Sequence, residues 1–208
     1  MPDNAIAPAV TTPAVPRPAA TLLIVRDGAA GHEVLMGRRS AGHRFMPNSL
    51  VFPSGAVDVA DYHAPLAAPL PPHVARLIAR QADAAFAHAL GAALARELEE
   101  ETALTLGQPP ALDGVDYLCR AITPSIRPKR FDAWFFVLSA ARVGGTIRPS
   151  DELAEVSYRP LTDLLTADLE FATRASLDRL QAWLAMSAAE RLGRTTIPVM
   201  REKVWREE

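Results

Sequence analysis

Four glutamates fall within residues 97–101, directly after Arg96. On a helix, positions i, i+3 and i+4 share a face, so Glu97, Glu100 and Glu101 would lie together while Glu99 points elsewhere. Leu94 and Leu98 would anchor the same helix in the core. Three carboxylates on one face repel one another, and a nearby positive charge would reduce this repulsion.

Two explanations fit this acidic face. Arg96 stands next to Glu97 and cannot neutralise all three carboxylates alone, whereas a divalent cation such as Mg²⁺ binds oxygen ligands and commonly bridges carboxylates and substrate phosphates. The alternative is a charged helix face in contact with water, which is the more common state of a charge run taken alone. The glutamates by themselves therefore leave the choice open.

A second segment, residues 44–58, combines a short apolar strand with the loop Pro53-Ser54-Gly55. Glycine lets the backbone approach a ligand closely and offer its carbonyl. The alternative is an ordinary turn at the end of a strand.

Taken together, the two segments resemble the Nudix hydrolase family, whose signature is G-x5-E-x7-R-E-U-x-E-E-x-G-U, with U aliphatic. The matching residues are Gly55, Arg96, Glu97, Leu98, Glu100, Glu101 and Leu104. The resemblance implies that Glu97, Glu100 and Glu101, with the Gly55 carbonyl, bind Mg²⁺ or Mn²⁺. It also implies that Arg96 positions a glutamate by ion pairing and that the protein cleaves a diphosphate bond in a small molecule.

The chain departs from this signature in several places. Arg96 follows Gly55 by 41 positions rather than 14, so we predict an insertion over about residues 59–85. Counting back from Glu97 places His88 where the signature has its first glutamate. Ser54 and Ala103 replace glycines. The three glutamates of the helix remain, which favours activity.

The segment before the loop gives a clue to the substrate. Residues 35–55 resemble a pattern found in coenzyme A diphosphatases, with Leu35, Arg39, Ser40 and Ala41 in place and Arg44 shifted by one position. We therefore expect Arg39 and Arg44 to contact the substrate. Coenzyme A or an acyl derivative is the leading candidate; a nucleotide sugar or a dinucleotide remains open.

Charged residues elsewhere complete the predicted site. Arg127 and Arg130, with Lys129, precede a strand and could hold substrate phosphates, because arginine presents planar donors suited to phosphate oxygens. A surface loop is the equally weighted alternative. Family members often place a further acidic residue outside the signature helix, and Glu152 is our candidate catalytic base.

The elements around these residues predict an α+β fold, which the resemblance identifies as a Nudix-type α/β/α sandwich with a mixed sheet, a helical insertion and a C-terminal helix. We predict strands near 21–27, 32–39, 49–55, 115–122, 131–140 and 153–159, and helices over 73–103, broken near Asp83, and over 160–165 and 172–185. Residues 1–20 are rich in proline and alanine and predict a flexible tail. Residues 21–208 form the domain.

Composition narrows the functional classes. A net charge of −2 and a short basic cluster argue against nucleic acid as a partner. One cysteine, Cys119, excludes an internal disulfide, and no apolar run is long enough for a membrane span. We expect a cytoplasmic protein. Because many members of this fold pair, a homodimer is also expected.

Two other functions remain open. The chain could be a Nudix-fold module that binds a nucleotide-like ligand without turnover, through the changes at His88 and Ser54. It could instead be an interaction protein whose acidic helix meets a basic partner. The segment 195–208 supports no prediction.

Overall fold

The computed structural model describes residues 13–42 and 47–208. The strands are β1 (Arg17–Gly28), β2 (Gly31–Arg39), β3 (Leu50–Val51), β4 (Ser54–Ala56), β5 (Leu104–Thr105), β6 (Asp116–Ile122), β7 (Phe131–Ser139), β8 (Gly144–Gly145), β9 (Leu153–Pro160), β10 (Pro198–Arg201) and β11 (Val204–Glu207). The helices are α1 (Pro72–Ile78), α2 (Ala84–Thr102), α3 (Leu161–Leu164), α4 (Phe171–Leu184) and α5 (Ala188–Leu192). Two short 3₁₀ helices cover Val59–Tyr62 and Ala140–Arg142.

One mixed sheet forms the centre of the molecule, in the order β11-β10-β6-β7-β1-β2-β3, with β4 paired to β1 and β9 to β2. The predicted strands near 21–27 and 32–39 are present as β1 and β2, which pair antiparallel as a hairpin across the turn at Gly28 and Gly31. Strands β1 and β7 run parallel, as do β6 and β10. The β1–β4 pairing brings the Ser54-Gly55 loop beside β1.

Alternation along β1 divides the core between the two faces of the sheet. Leu22 and Ile24 face the cluster formed with α1 and α2, while Leu23 and Val25 face the cluster formed with α3 and α4. This alternation is what a strand buried on both faces requires, since successive side chains point in opposite directions. The α+β sandwich with a mixed sheet is therefore confirmed.

The helical region before the acidic residues breaks where the sequence predicts. Helix α1 begins at Pro72, a residue suited to a first helical turn because it lacks a backbone donor. Helix α2 begins after Asp83, whose carboxylate accepts a 2.8 Å hydrogen bond from the backbone N–H of Phe86. The side chain at position 83 thus caps α2 and separates it from α1.

Some sequence predictions of local structure are wrong. Strand β1 begins at Arg17, so residues 17–20, which the composition assigned to the tail, are in the sheet; Ala19 and Ala20 are buried. Residues 1–12 lie outside the described residues. The single strand predicted over 49–55 is two short strands, β3 and β4. The segment 195–208 contains β10 and β11, which extend the sheet at the β6 edge.

In the described ranges, no helix combines the length and the apolar composition needed to cross a membrane.

Candidate active site

The last two turns of α2 present the predicted carboxylates. Leu94 and Leu98 are buried in the core and fix the rotation of the helix. Glu101 is almost fully buried, Glu97 is partly buried and Glu100 is exposed. The three side chains therefore occupy one side of the helix at three different depths, and Glu97 and Glu101 contact the loop that contains Gly55.

Arg96 connects this helix to its surroundings. Its guanidinium donates to both carboxylate oxygens of Asp61 at 3.0 Å each and to the Ala56 carbonyl at 3.0 Å. It also donates to Glu97 at 2.6 Å and to Glu100 at 3.2 Å. These contacts raise the pKa of Arg96, first through the hydrogen bond with Asp61, so the guanidinium remains charged. Arg96 therefore holds Glu97 in place.

Gly55 is a close-contact position for Glu97. A Cβ atom added at residue 55 would lie only 1.9 Å from Cδ of Glu97, so any side chain there would displace the carboxylate. The neighbouring Ser54 donates its backbone N–H to Oε2 of Glu101 at 2.8 Å. The backbone of this loop therefore packs against the carboxylate of Glu97 and donates a hydrogen bond to the carboxylate of Glu101.

Burial changes the acidity of these groups. Loss of solvation raises the pKa of Glu101 to about 8; the Ser54 N–H opposes the rise and the charge of Glu97 adds to it. Burial is also the first cause of the raised pKa of Glu97, which the hydrogen bond from Arg96 opposes. Oε1 of Glu101 is buried and has no hydrogen-bond partner among the residues that the structure describes. A buried oxygen in this state needs a proton or a cation.

Two residues from other elements complete the group. Arg39, at the end of β2, pairs across the strands with Leu153 of β9, next in sequence to Glu152. Arg39 lies close enough to Glu101 for its charge to lower the pKa of that carboxyl, while the charge of Glu152 raises the pKa of both Glu97 and Glu101. The structure thus brings both predicted residues to the acidic helix.

The donor set can be tested against a divalent metal ion. Within the described part of the chain, no three acidic, histidine or cysteine side chains already form a metal-binding group. Arg96 instead bonds the carboxylates of Glu97 and Glu100. The chemistry still fits, since carboxylate oxygens are the ligands that Mg²⁺ and Mn²⁺ prefer. The unpartnered oxygen of Glu101 and the close approach of Glu97 to Gly55 are consistent with the same use.

Asp61 is a site residue that the sequence reasoning missed. It lies in the 3₁₀ helix Val59–Tyr62 and is buried. Its spacing could have revealed it, because Asp61 follows Gly55 by six positions, the same separation as the glycine and first glutamate of the signature. Counting back from Glu97 instead led to His88. The structure shows that Asp61 is the acidic residue outside α2 that bonds Arg96.

His88 is placed elsewhere. It lies on α2, more than two turns before Glu97, and its Nε2 lies 2.9 Å from the carbonyl oxygen of Ala64. Because a carbonyl only accepts, Nε2 carries the proton of this hydrogen bond. His88 therefore connects α2 to the loop before α1 and does not replace the signature glutamate.

The remaining predicted substrate contacts stay predictions. Arg44 lies outside the described residues. Arg130 donates to the backbone carbonyls of Thr123 and Ala14, which ties the loop between β6 and β7 to the start of the described chain. Arg127 is exposed in the same loop. For the described residues, the structure gives no direct contact between Arg127 or Arg130 and the carboxylates of α2.

Comparisons with solved structures show the fold. A Nudix hydrolase from Alicyclobacillus acidocaldarius aligns with a TM-score of 0.64 at 24% sequence identity, covering 86% of this chain and 96% of that one. A MutT protein from Methanosarcina mazei Go1 aligns with a TM-score of 0.56 at 20% identity, covering 86% and 100%. The Nudix domain of NrtR from Shewanella oneidensis, solved with ADP-ribose, aligns with a TM-score of 0.50 at 16% identity, covering 87% and 95%.

The chain therefore has the Nudix fold. A scan against protein-family models finds no match, and a search of the curated proteins finds none.

Proposed function

We propose that this protein is a metal-dependent hydrolase that cleaves the diphosphate bond of a nucleoside diphosphate linked to another moiety. The observation that carries the proposal is the pairing of two carboxylates at the Gly55 loop. Glu101 accepts from Ser54, and its second oxygen is buried with no partner in the described part of the chain. Glu97 occupies the space that a side chain at Gly55 would fill.

Glu97, Glu100 and Glu101, with the Gly55 carbonyl, would hold Mg²⁺ or Mn²⁺. When bound, the metal would neutralise the negative oxygens of the diphosphate and the charge that develops at phosphorus. Glu100 contributes an exposed carboxylate from the rim, and Glu97 and Glu101 contribute carboxylates whose raised pKa values make a bound cation favourable. Arg96 keeps Glu97 oriented through Asp61.

The reaction is a hydrolysis. The oxygen of a water molecule forms a bond to one phosphorus, the bond from that phosphorus to the bridging oxygen breaks, and two phosphate-terminated products leave. Glu152 would accept the proton from the water, since its carboxylate is exposed and close enough to perturb Glu97 and Glu101. Arg39 would offset the charge of the diphosphate oxygens.

Coenzyme A or an acyl-coenzyme A is the leading substrate. The support is the partial match of residues 35–55 to the pattern of coenzyme A diphosphatases, together with the position of Arg39 beside Glu101. ADP-ribose is the next compound to test, since the NrtR domain of the same fold was solved with it. The two compounds share a nucleoside diphosphate, and the linked moiety differs.

The test is product formation by the purified protein with Mg²⁺ or Mn²⁺. Coenzyme A, an acyl-coenzyme A, ADP-ribose, NADH and a nucleoside triphosphate would be assayed for each variant. Glu101→Gln should lose at least about 100-fold in kcat, because it removes a metal ligand. Glu99→Gln is the matched control: it makes the same change on an exposed part of the same helix and should retain full activity. Full activity in Glu101→Gln would refute the proposal.

A second candidate, a binding module without turnover, is favoured by one observation. Arg96 already bonds Glu97 and Glu100, so those carboxylates have a cationic partner without metal. This candidate predicts that coenzyme A or ADP-ribose binds in calorimetry while no product forms with either metal. The cytoplasmic location and the homodimer stay predictions; sedimentation velocity would test the dimer.

A further inference from the structure

A groove separate from the carboxylates opens between α1 and the first turns of α2. Its volume is about 650 Å³, and most of its wall is apolar, formed by Leu66, Leu70, Ala75, Ala79, Ala87 and Leu112. His88 marks the end of the groove nearer to the carboxylates on α2, nine residues before Glu97, which is about 14 Å of helix. Almost all of the wall comes from the residues between Gly55 and the acidic helix.

Three polar residues also line this groove, and they differ in whether they have hydrogen-bond partners within the described chain. Asp83 accepts the hydrogen bond from Phe86 that caps α2, and His88 bonds the Ala64 carbonyl. Arg76 is exposed and, across residues 13–42 and 47–208, makes no hydrogen bond or ion pair. The groove therefore has an apolar wall, one carboxylate that already accepts the capping hydrogen bond of α2, and one cation that bonds no other described residue.

From this charge pattern we propose that the groove binds an aliphatic carboxylate. The hydrocarbon chain would lie against the leucine and alanine side chains, and the carboxylate would accept two hydrogen bonds from the Arg76 guanidinium. The volume lies within the range of small-molecule sites, about 300–1,000 Å³. Neither feature involves the acidic residues of α2, so the inference is independent of the proposed hydrolase function.

The experiment is calorimetric titration of the full chain with decanoate, and with decyltrimethylammonium as a probe of the same chain length and opposite charge. Decanoate should bind saturably at one site, and the cationic probe should bind at least about tenfold more weakly because it meets Arg76. Ala87→Trp, which fills the groove, should abolish binding. Arg76→Gln should weaken binding about two- to fivefold, as expected for an exposed charge pair.

Arg206→Gln is the matched control, since Arg206 is exposed on β11 and does not line the groove. It should leave the affinity unchanged. Ala79→Trp is a second groove-filling variant in case Ala87→Trp does not fold. The proposal is overturned by absence of saturable decanoate binding, by unchanged binding in both tryptophan variants, or by equal binding of the two probes. It is also overturned if sedimentation shows a dimer that either tryptophan variant dissociates, because a second copy would then occupy the groove.

Discussion

Arg96 and Asp61 form a two-point ion pair, with Nε and Nη2 of the arginine each 3.0 Å from a different carboxylate oxygen. Asp61 is buried, and the same arginine holds Glu97 at 2.6 Å. Asp61 also accepts from the backbone N–H of Asp58 at 2.8 Å. The pair therefore joins the segment after Gly55 to the acidic helix and sets the position of Glu97.

Asp61→Asn should impair the site through Arg96. Asparagine has an NH₂ group, a donor, in place of one of the two carboxylate oxygens, so one of the two hydrogen bonds from Arg96 is lost. Arg96 should then lose its fixed position and Glu97 its orientation. We expect kcat to fall about 10- to 100-fold, the range found for residues that orient metal ligands. Steady-state kinetics across a Mn²⁺ titration would measure it, with circular dichroism confirming the fold.

Asp58→Asn is the control for this prediction. Asp58 pairs with Arg17 at the surface, where both side chains are more than half exposed. Exposed pairs contribute about 0–1 kcal/mol, so this variant should keep its activity. If Asp61→Asn is as active as Asp58→Asn at every metal concentration, Asp61 has no positioning role.

Gly55→Ala should reduce activity while leaving the fold intact. The added methyl group would meet the Glu97 carboxylate at 1.9 Å, and the carboxylate would have to leave the loop. We expect metal affinity and kcat each to fall at least about tenfold. Isothermal titration with Mn²⁺ and a thermal melt separate loss of the site from loss of the fold. Gly42→Ala, where an added Cβ meets no atom of the described residues within 4 Å, should behave as the wild type.

The chemistry of the acidic helix could be predicted from sequence because helical spacing directly determines which glutamates share a face. The break at Asp83 was readable for a similar reason, since a capping carboxylate is a local signal. Asp61 was missed because the insertion separates it from Arg96 by 35 positions, and a contact at that separation has no local signature. Counting forward six positions from Gly55, as in the signature, would have identified Asp61. Counting back from Glu97 led to His88 instead.

The strands at the two ends of the chain were missed for different reasons. Residues 17–20 read as a tail because Pro18 and two alanines suggest weak packing, yet they pair with β7 and β4 and are partly covered by them. Residues 201–207 are mostly polar, and β11 is an edge strand whose residues are mostly exposed. Trp205 is held in position by tertiary contacts, including the Arg179 guanidinium, which lies over its ring. Such contacts cannot be derived from local propensity.

Ala103→Gly should stabilise the protein. Ala103 ends α2 in the left-handed conformation, with φ of 59° and ψ of 15°. This conformation costs a non-glycine residue about 1–2 kcal/mol, which explains why the signature has glycine here. We expect the free energy of unfolding to rise by about 1 kcal/mol in urea denaturation, with unchanged kcat. A decrease would show that the Ala103 methyl group makes contacts that outweigh the backbone strain. Ala141→Gly, at an exposed position in the 3₁₀ helix Ala140–Arg142, is the control and should not stabilise.

Metal-free protein should lose stability as pH rises, through Glu101. Its pKa is raised from 4.5 to about 8 in the folded state, so between these values the folded protein binds a proton that the unfolded chain has released. The free energy of unfolding therefore falls with increasing pH across this window, and the contribution is fully present only below 4.5. Glu101→Gln resembles the protonated carboxyl at every pH and lacks this dependence.

The measurement is a series of thermal melts in EDTA from pH 5 to about pH 9 for the wild type and Glu101→Gln. The two proteins should have similar melting temperatures at the acidic end, and the wild type should fall progressively below the variant as the pH rises toward 8. Adding Mn²⁺ at high pH should restore the wild type and leave the variant less affected, because the cation replaces the proton on the buried carboxyl. Parallel curves for the two proteins throughout the series would show that Glu101 titrates near its ordinary value.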